Sequence, residues 1–302
     1  MKSWKAELFL LTVTFIWGGT FMFTKIGIND TNPSLYILLR FTIALFLSLV
    51  FFWRHLLLTD KKTMKQGLIL GLLFGSGFLL QTYGLKYTSV SKSAFITGIT
   101  VPLTPFVFWF IERKAIKTWS KIGVVIATIG LWVFTNPDIN DVNIGDIMTL
   151  ISTLFWALYI TFMDVFTKGR TNFSESAQLV MLQFIAAAPL AFISIFVFEG
   201  GSFNINFTSD LIISLAFNSI MASFLVTFIH TSIQRYTTPV KAALIFSLEP
   251  IIASIVAIIF INEILNGREL IGGAILLTGV LVSELGGIIS KKLKKNIKSS
   301  DY

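Results

Sequence analysis

The sequence predicts an all-α integral membrane protein with ten transmembrane helices, arranged as two inverted five-helix repeats. Three observations predict this fold class: an apolar composition, ten long apolar runs, and two blocks of sequence that recur at one spacing. Hydrophobic residues are 54% of the 302 residues, and charged residues are 13%. A soluble domain averages roughly 25% charged residues, so the composition favours a chain that lies mostly in lipid.

The apolar runs give the number of helices. A transmembrane helix needs about 20 mainly apolar residues. Ten runs meet this requirement, approximately at 7–28, 34–53, 67–86, 93–111, 119–135, 144–165, 176–198, 210–232, 240–261 and 268–289. Because backbone groups in lipid must bond within their own segment, runs of this length are predicted to be helices. The connections are short, so no soluble domain is expected.

The repeat is visible in the sequence itself. Positions 87–94 recur at 236–243, and Gly123 and Gly130 recur as Gly272 and Gly279, all at an offset of 149 residues. The first and sixth runs match more weakly at an offset of 139. Since five spans are an odd number, the second copy would enter the membrane from the opposite face. The predicted divisions are a first repeat at 1–136, a second repeat at 137–290, and a basic cytoplasmic tail at 291–302.

The positive charge predicts the orientation. If the N-terminus is cytoplasmic, 19 of the 24 Lys and Arg residues fall in cytoplasmic segments and 3 in external ones. This excess predicts a multi-pass protein of the cell (inner) membrane with both termini in the cytoplasm. The net charge of +8 is therefore expected to serve topology and the lipid bilayer. A nucleic-acid site would need one continuous basic face, and since the basic residues are distributed over the cytoplasmic segments, no nucleic-acid partner is expected.

Several short motifs carry a family resemblance. They are Trp17-Gly18-Gly19-Thr20 with Lys25, Pro33 with Arg40, Pro102 with Glu112, and Leu248-Glu249-Pro250 followed by Asn262-Glu263. On the duplicated ten-span frame, this set resembles the EamA type of the drug/metabolite transporter superfamily. The resemblance implies an inner-membrane permease, commonly an exporter of amino acids, other small metabolites or toxic compounds. One departure is that Asn262 and Ile111 stand where the family usually has a glycine before the motif glutamate.

Glu249 is the most informative charged residue. It lies about 8 residues, or roughly 12 Å, into the ninth run. Pro250 follows it and leaves the carbonyl of Phe246 without a helical partner. Because a charge at this depth is costly, Glu249 is a candidate proton carrier or a ligand for a cationic group. The alternative is a structural carboxyl, paired with a basic residue or with a helix end.

Arg40 is the second charged candidate. It lies about 7 residues into the second run. A guanidinium group could bind a substrate carboxylate with two parallel hydrogen bonds. The alternatives are a side chain that extends to the external headgroups or one that pairs with an acid.

A set of aromatic and amide residues lies at comparable depths in other runs. Its members are Trp17, Gln81, Tyr83, Trp156, Tyr159, Gln183 and Asn218. Pockets for small molecules are mostly apolar with a few placed polar groups, so this set is predicted to line a substrate cavity. The alternative for each member is ordinary helix packing. The glycines at 67, 71 and 75 are predicted to let another helix of the same chain approach closely.

These observations favour a secondary-active transporter of small molecules that works by alternating access, with protons as a candidate coupling ion. A passive facilitator or channel for small solutes is the first alternative. An intramembrane enzyme is the second, but it would need a catalytic pair at one depth, and only Glu249 is deep. The chain has no cysteine, and it carries no Walker or zinc-binding motif. No metal, cofactor or catalytic residue is therefore expected.

Overall fold

A computed structural model describes residues 3–135, 142–170, 172–261 and 267–300, and the regular structure in these ranges is helical. The α-helices, in chain order, are α1 (Ser3–Gly27), α2 (Pro33–Leu56), α3 (Lys61–Tyr87), α4 (Val90–Gly98), α5 (Thr100–Glu112), α6 (Thr118–Thr135), α7 (Ile144–Thr167), α8 (Phe173–Glu199), α9 (Ser209–Ala216), α10 (Val226–Ile233), α11 (Pro239–Phe246), α12 (Glu249–Ile261) and α13 (Gly267–Ser300). A π-helical segment, Phe217–Leu225, joins α9 to α10, and a 3-10 turn, Gln234–Tyr236, follows α10.

These helices occupy the ten predicted spans. The fourth span consists of α4 and α5, the eighth of α9, the π-helical segment and α10, and the ninth of α11 and α12. Among the described residues, seven helical stretches are long and apolar enough to cross a bilayer, and α6 and α13 contain shorter apolar stretches. Large apolar side chains such as Phe46, Phe51 and Phe106 are more than half exposed on the outer surface, as suits contact with lipid. The chain is a multi-pass membrane protein.

The polar caps of the helices explain where several of them begin. At α4, the hydroxyl of Ser89 accepts a hydrogen bond from the amide of Lys92 at 3.1 Å, and at α11, the hydroxyl of Thr238 accepts one from the amide of Lys241 at 3.4 Å. Both caps satisfy an amide that the first turn of a helix leaves unpaired. The recurring block at 87–94 and 236–243 thus builds the same capped helix start twice.

The glycine ridge on α3 packs against α8 of the same chain, as predicted. A Cβ atom added at Gly71 would lie 2.3 Å from the carbonyl oxygen of Gln183, and one at Gly75 would lie 3.1 Å from the Cα atom of Ala187. Gly67 faces Leu182 in the same way. Only residues without a side chain allow this approach of the two backbones.

The second recurring block forms the contact between α6 and α13. A Cβ atom at Gly123 would lie 2.6 Å from the carbonyl oxygen of Gly279, and one at Gly130 would lie 2.9 Å from that of Gly272. Gly272 is the counterpart of Gly123, and Gly279 is the counterpart of Gly130. Each glycine therefore touches the counterpart of the other, which is the reciprocal pattern that a two-fold axis produces.

Candidate functional site

Two helices are interrupted at corresponding places in the sequence. The fourth span breaks between Gly98 and Thr100, and the ninth breaks between Phe246 and Glu249. Pro102 and Pro250 lack the amide hydrogens that would bond to the carbonyls of Gly98 and Phe246. At the offset of 149 residues Thr100 corresponds to Glu249, so the two breaks agree to within one residue, and the two prolines are one residue out of register. The predicted loss of a helical bond at Pro250 is thus accompanied by a break in the helix, whereas the break in the fourth span was not predicted.

The two breaks meet at a cavity between the helices. Its volume is about 50 Å³, which accommodates a few water molecules. The walls come from α1, α3, α4, α5, α7, α11 and α12. The polar and aromatic lining residues include Trp17, Thr20, Phe78, Gln81, Thr97, Thr100, Trp156, Phe246, Ser247 and Glu249. A space of this kind between broken helices is typical of a transporter binding site.

Glu249 brings a carboxyl group to this cavity. The residue is 8% exposed, and it lines the cavity wall. It has no hydrogen bond or ion pair with any residue that the structure describes. Glu249 is the first residue of α12, where the partial positive charge of the helix N-terminus favours a carboxylate. Of the two structural alternatives, the basic partner is therefore lacking among the described residues, whereas the helix end is present.

The two tryptophans of the predicted set both line the cavity, and their rings contact one another. Their ring centroids are 6.1 Å apart. The indole N–H of Trp17 donates to the carbonyl oxygen of Ala222 at 3.1 Å. The indole N–H of Trp156 is buried and has no acceptor among the described residues. Trp156 therefore keeps an unused hydrogen-bond donor next to the cavity wall.

Of the remaining predicted residues, the structure brings only Gln81 to the cavity. Its amide donates to the hydroxyl of Thr97 at 2.9 Å. The other four are buried between helices, where each makes a hydrogen bond, although the side-chain oxygen of Asn218 has no partner among the described residues. Tyr83 donates to Glu199 at 2.6 Å, Tyr159 donates to Gln183 at 2.8 Å, and Asn218 donates to Tyr36 at 2.6 Å. These contacts join helices, as the packing alternative describes.

Arg40 lies behind one wall of the cavity. Its side chain is fully buried, so it does not extend to the headgroups. The Nε atom donates to the hydroxyl of Ser223 at 2.7 Å, and the guanidinium carbon lies 4.2 Å from the ring centroid of Phe78, a wall residue. No acidic side chain in the described part of the chain pairs with it, and its Nη2 atom has no hydrogen-bond partner there.

Sequence reasoning missed four polar residues close to the cavity. Thr97, Thr100 and Ser247 lie at the breaks, and only the position of the breaks marks them. His230 is fully buried and packs against Trp17 and Phe246 at centroid distances of 5.9 and 5.2 Å. Its place near the end of the eighth span concealed this contact.

Of the two motif glutamates downstream of the breaks, the structure describes only Glu112. Glu112 pairs with Lys114 and lies 3.5 Å from Lys168. The motif Asn262-Glu263 lies outside the described residues.

Comparison with known proteins decides the family. The sequence model of the EamA-like transporter family matches residues 4–136 and matches again at residues 143–285. The chain belongs to the EamA-like transporter family. This confirms the resemblance that the motifs predicted, and it makes transport the role of the chain. Members of this EamA-like family and the named relatives below are transporters rather than enzymes.

Full-length relatives of this EamA-like chain are named as transporters. An uncharacterized transporter of Archaeoglobus fulgidus is 29% identical over 94% of this chain and 87% of its own length. Proteins of Escherichia coli strain K12 and Salmonella typhimurium, each named "probable amino-acid metabolite efflux pump", are 23% and 25% identical. Each of these two alignments covers 94% of this chain and 96% of the relative.

A solved structure shares the fold. One crystal structure superposes with a TM-score of 0.74 over 93% of this chain and 98% of the other, at 16% sequence identity. At this identity the likeness concerns the fold alone.

Proposed function

We propose that this EamA-family protein is a secondary-active exporter of small metabolites such as amino acids, working by alternating access. One observation carries the proposal. Two broken helices, at corresponding places in the two halves, meet at a cavity lined by a carboxyl group that has no partner among the described residues. Substrate and ion sites of secondary transporters lie at such breaks, because the interrupted helices free backbone groups and helix ends for binding.

The same proposal includes two inverted repeats of five helices. Two observations support it. The family model matches the chain twice in succession, and the glycine contacts between α6 and α13 are reciprocal. Two copies with opposite orientation can rock about a shared central site, so that the site opens to one face at a time.

The cavity favours an amphipathic substrate with a cationic group. Trp17, Phe78 and Trp156 provide aromatic walls, and the Glu249 carboxyl can bind an ammonium group or carry a proton. Arg40, one layer behind Phe78, is the candidate partner for a substrate carboxylate. Two relatives that are named for amino-acid metabolite efflux support the same substrate class and the outward direction.

A flux assay in vesicles separates this function from its rivals. The purified chain is reconstituted with its cytoplasmic face outward and the lumen acidic. We expect accumulation of one or more amino acids above the outside concentration, up to about tenfold per pH unit for one exchanged proton, and loss of accumulation with a protonophore. A facilitator would equalise the concentrations without accumulation. Flux of no small metabolite at all would contradict the proposal.

The proposed orientation places both termini in the cytoplasm of a cell membrane. Because the chain has no cysteine, single cysteines report it cleanly. Asn204 lies between α8 and α9 and Ala115 between α5 and α6, and both are exposed. We expect an impermeant maleimide added to intact cells to label Asn204→Cys and to spare Ala115→Cys until the membrane is opened. The reverse pattern would invert the orientation.

A further inference from the structure

Two ion pairs cross between the halves of the protein. The Nζ atom of Lys92, on α4, lies 2.8 Å from a carboxylate oxygen of Asp146, on α7. The Nζ atom of Lys241, on α11, lies 2.9 Å from a carboxylate oxygen of Glu7, on α1. In both pairs the side chains are mostly shielded from solvent, with exposed fractions of 21% and 6% in the first and 15% each in the second. Neither bond is therefore an ordinary surface contact.

The two pairs are counterparts of one another. Lys241 is the counterpart of Lys92 at the offset of 149 residues, and Asp146 is the counterpart of Glu7 at the offset of 139 residues that relates α1 to α7. Each lysine therefore binds the counterpart of the other lysine's partner. This is the reciprocal pattern already seen for the glycines of α6 and α13.

The recurring sequence block holds both lysines in place. In each copy the capping hydroxyl, from Ser89 or Thr238, fixes the amide of the lysine in the first turn of a helix. On the acidic side, Thr88 donates its hydroxyl hydrogen to Asp146 at 2.7 Å. The block that first revealed the duplication thus has a physical task, which is to present one lysine at each end of the bundle.

The pairs lie at opposite ends of α1. Glu7 is near its start, and Lys25, 18 residues on, is near its end, a distance of about 27 Å along the helix axis. Lys25 donates to the carbonyl oxygen of Thr88 at 3.0 Å, and Thr88 in turn contacts Asp146. The cavity residue Trp17 lies between the two ends. The span is close to the roughly 30 Å of a bilayer core.

We propose that these pairs are two alternating latches: an outer latch, Lys92–Asp146, and an inner latch, Glu7–Lys241, each of which closes one route to the central cavity. The proposal rests on the alternating access proposed above. Both ion pairs are formed in this structure. Opening to the outside requires the outer pair to separate while the inner pair holds, and opening to the cytoplasm requires the reverse. Breaking one latch therefore shifts the population toward the state that is open on that side.

Accessibility of one cysteine in the cavity tests the latches. Ser247 lines the cavity, and Ser247→Cys is the only thiol in the chain. We expect Lys92→Gln to raise its labelling rate from the outside by about three- to tenfold and to lower the rate from the cytoplasmic side. Lys241→Gln should do the opposite. Lys86→Gln and Lys5→Gln remove exposed lysines near the same two ends and should change neither rate.

A charge-exchange variant tests whether misfolding, rather than loss of the ion pair, changes the labelling rates. Glu7→Lys combined with Lys241→Glu rebuilds the inner pair in reverse, and it should return the labelling rates to those of the parent. Rates that are unchanged by both single variants, or that rise on the same side for both, would overturn the latches. The assay uses neither substrate nor gradient. Failure of the latches therefore leaves the exporter proposal to the flux assay, and a failed flux assay leaves the labelling result intact.

Discussion

Replacing Glu249 with glutamine is expected to reduce pH-driven accumulation to the level of empty vesicles while substrate exchange continues. Glutamine keeps the shape and hydrogen-bonding capacity of the side chain, but it cannot release a proton. The carboxyl group lies in the cavity wall without a described partner, and at this depth neutralisation costs less than an isolated charge. Accumulation under a pH gradient and counterflow of labelled substrate, measured on the same vesicles, separate the coupled and uncoupled modes.

Glu249→Asp is the matched control, since it retains an exchangeable proton and should retain part of the accumulation. If glutamine at this position lowers the yield of folded protein and weakens every mode of flux alike, the carboxyl is structural, and its place at the N-terminus of α12 is then its role. Accumulation by the glutamine variant with the parent's pH dependence would remove Glu249 from the mechanism.

Replacing Gly272 with alanine is expected to destabilise the protein by about 1–3 kcal/mol or more. A Cβ atom there would lie 2.2 Å from the backbone nitrogen of Phe134, so α6 and α13 would have to separate. The neighbouring Gly273 is the matched control, because a Cβ atom at that position would make an ordinary contact at 3.6 Å. Gly273→Ala should be neutral or stabilising by up to about 1 kcal/mol, since alanine favours a helix more than glycine does.

Thermal unfolding of the two variants in the same detergent measures this difference. Equal stabilities would mean that the contact between α6 and α13 is looser than the structure shows. If Gly273→Ala also fails to fold, a side chain at either position is destabilising. The loss of stability in Gly272→Ala could then not be assigned to the contact with Phe134.

Much of the fold follows from the sequence because lipid restricts the choices. The predicted spans at 34–53 and 144–165 correspond to helices Pro33–Leu56 and Ile144–Thr167, since the length of an apolar run is set by bilayer thickness. The break in the fourth span had a signal in Pro102. The π-helical turn at Phe217–Leu225 had none, because its side chains suit an α-helix equally well.

The candidate site was harder to predict, because depth along a helix does not determine which neighbour a side chain meets. Tyr159 and Gln183 lie at suitable depths, yet they satisfy one another and do not line the cavity. The sequence places Arg40 near the end of the second span. In the structure its guanidinium group is buried and donates to the hydroxyl of Ser223 on a neighbouring helical segment. Trp17 and Trp156, which correspond at the offset of 139 residues, were predicted to line a cavity, and both do.

The correspondence between the two halves of the chain bears on how many protons are exchanged for each substrate molecule. Two identical halves would place charged groups near the axis in pairs, and two adjacent carboxyl groups cannot both ionise freely. In this chain the counterpart of Glu249 is Thr100, and both line the cavity. Joining the halves in one polypeptide allows them to differ, and among the described residues that line the cavity Glu249 is the only acid. If Glu249 is the coupling group, each cycle exchanges a single proton for each substrate molecule.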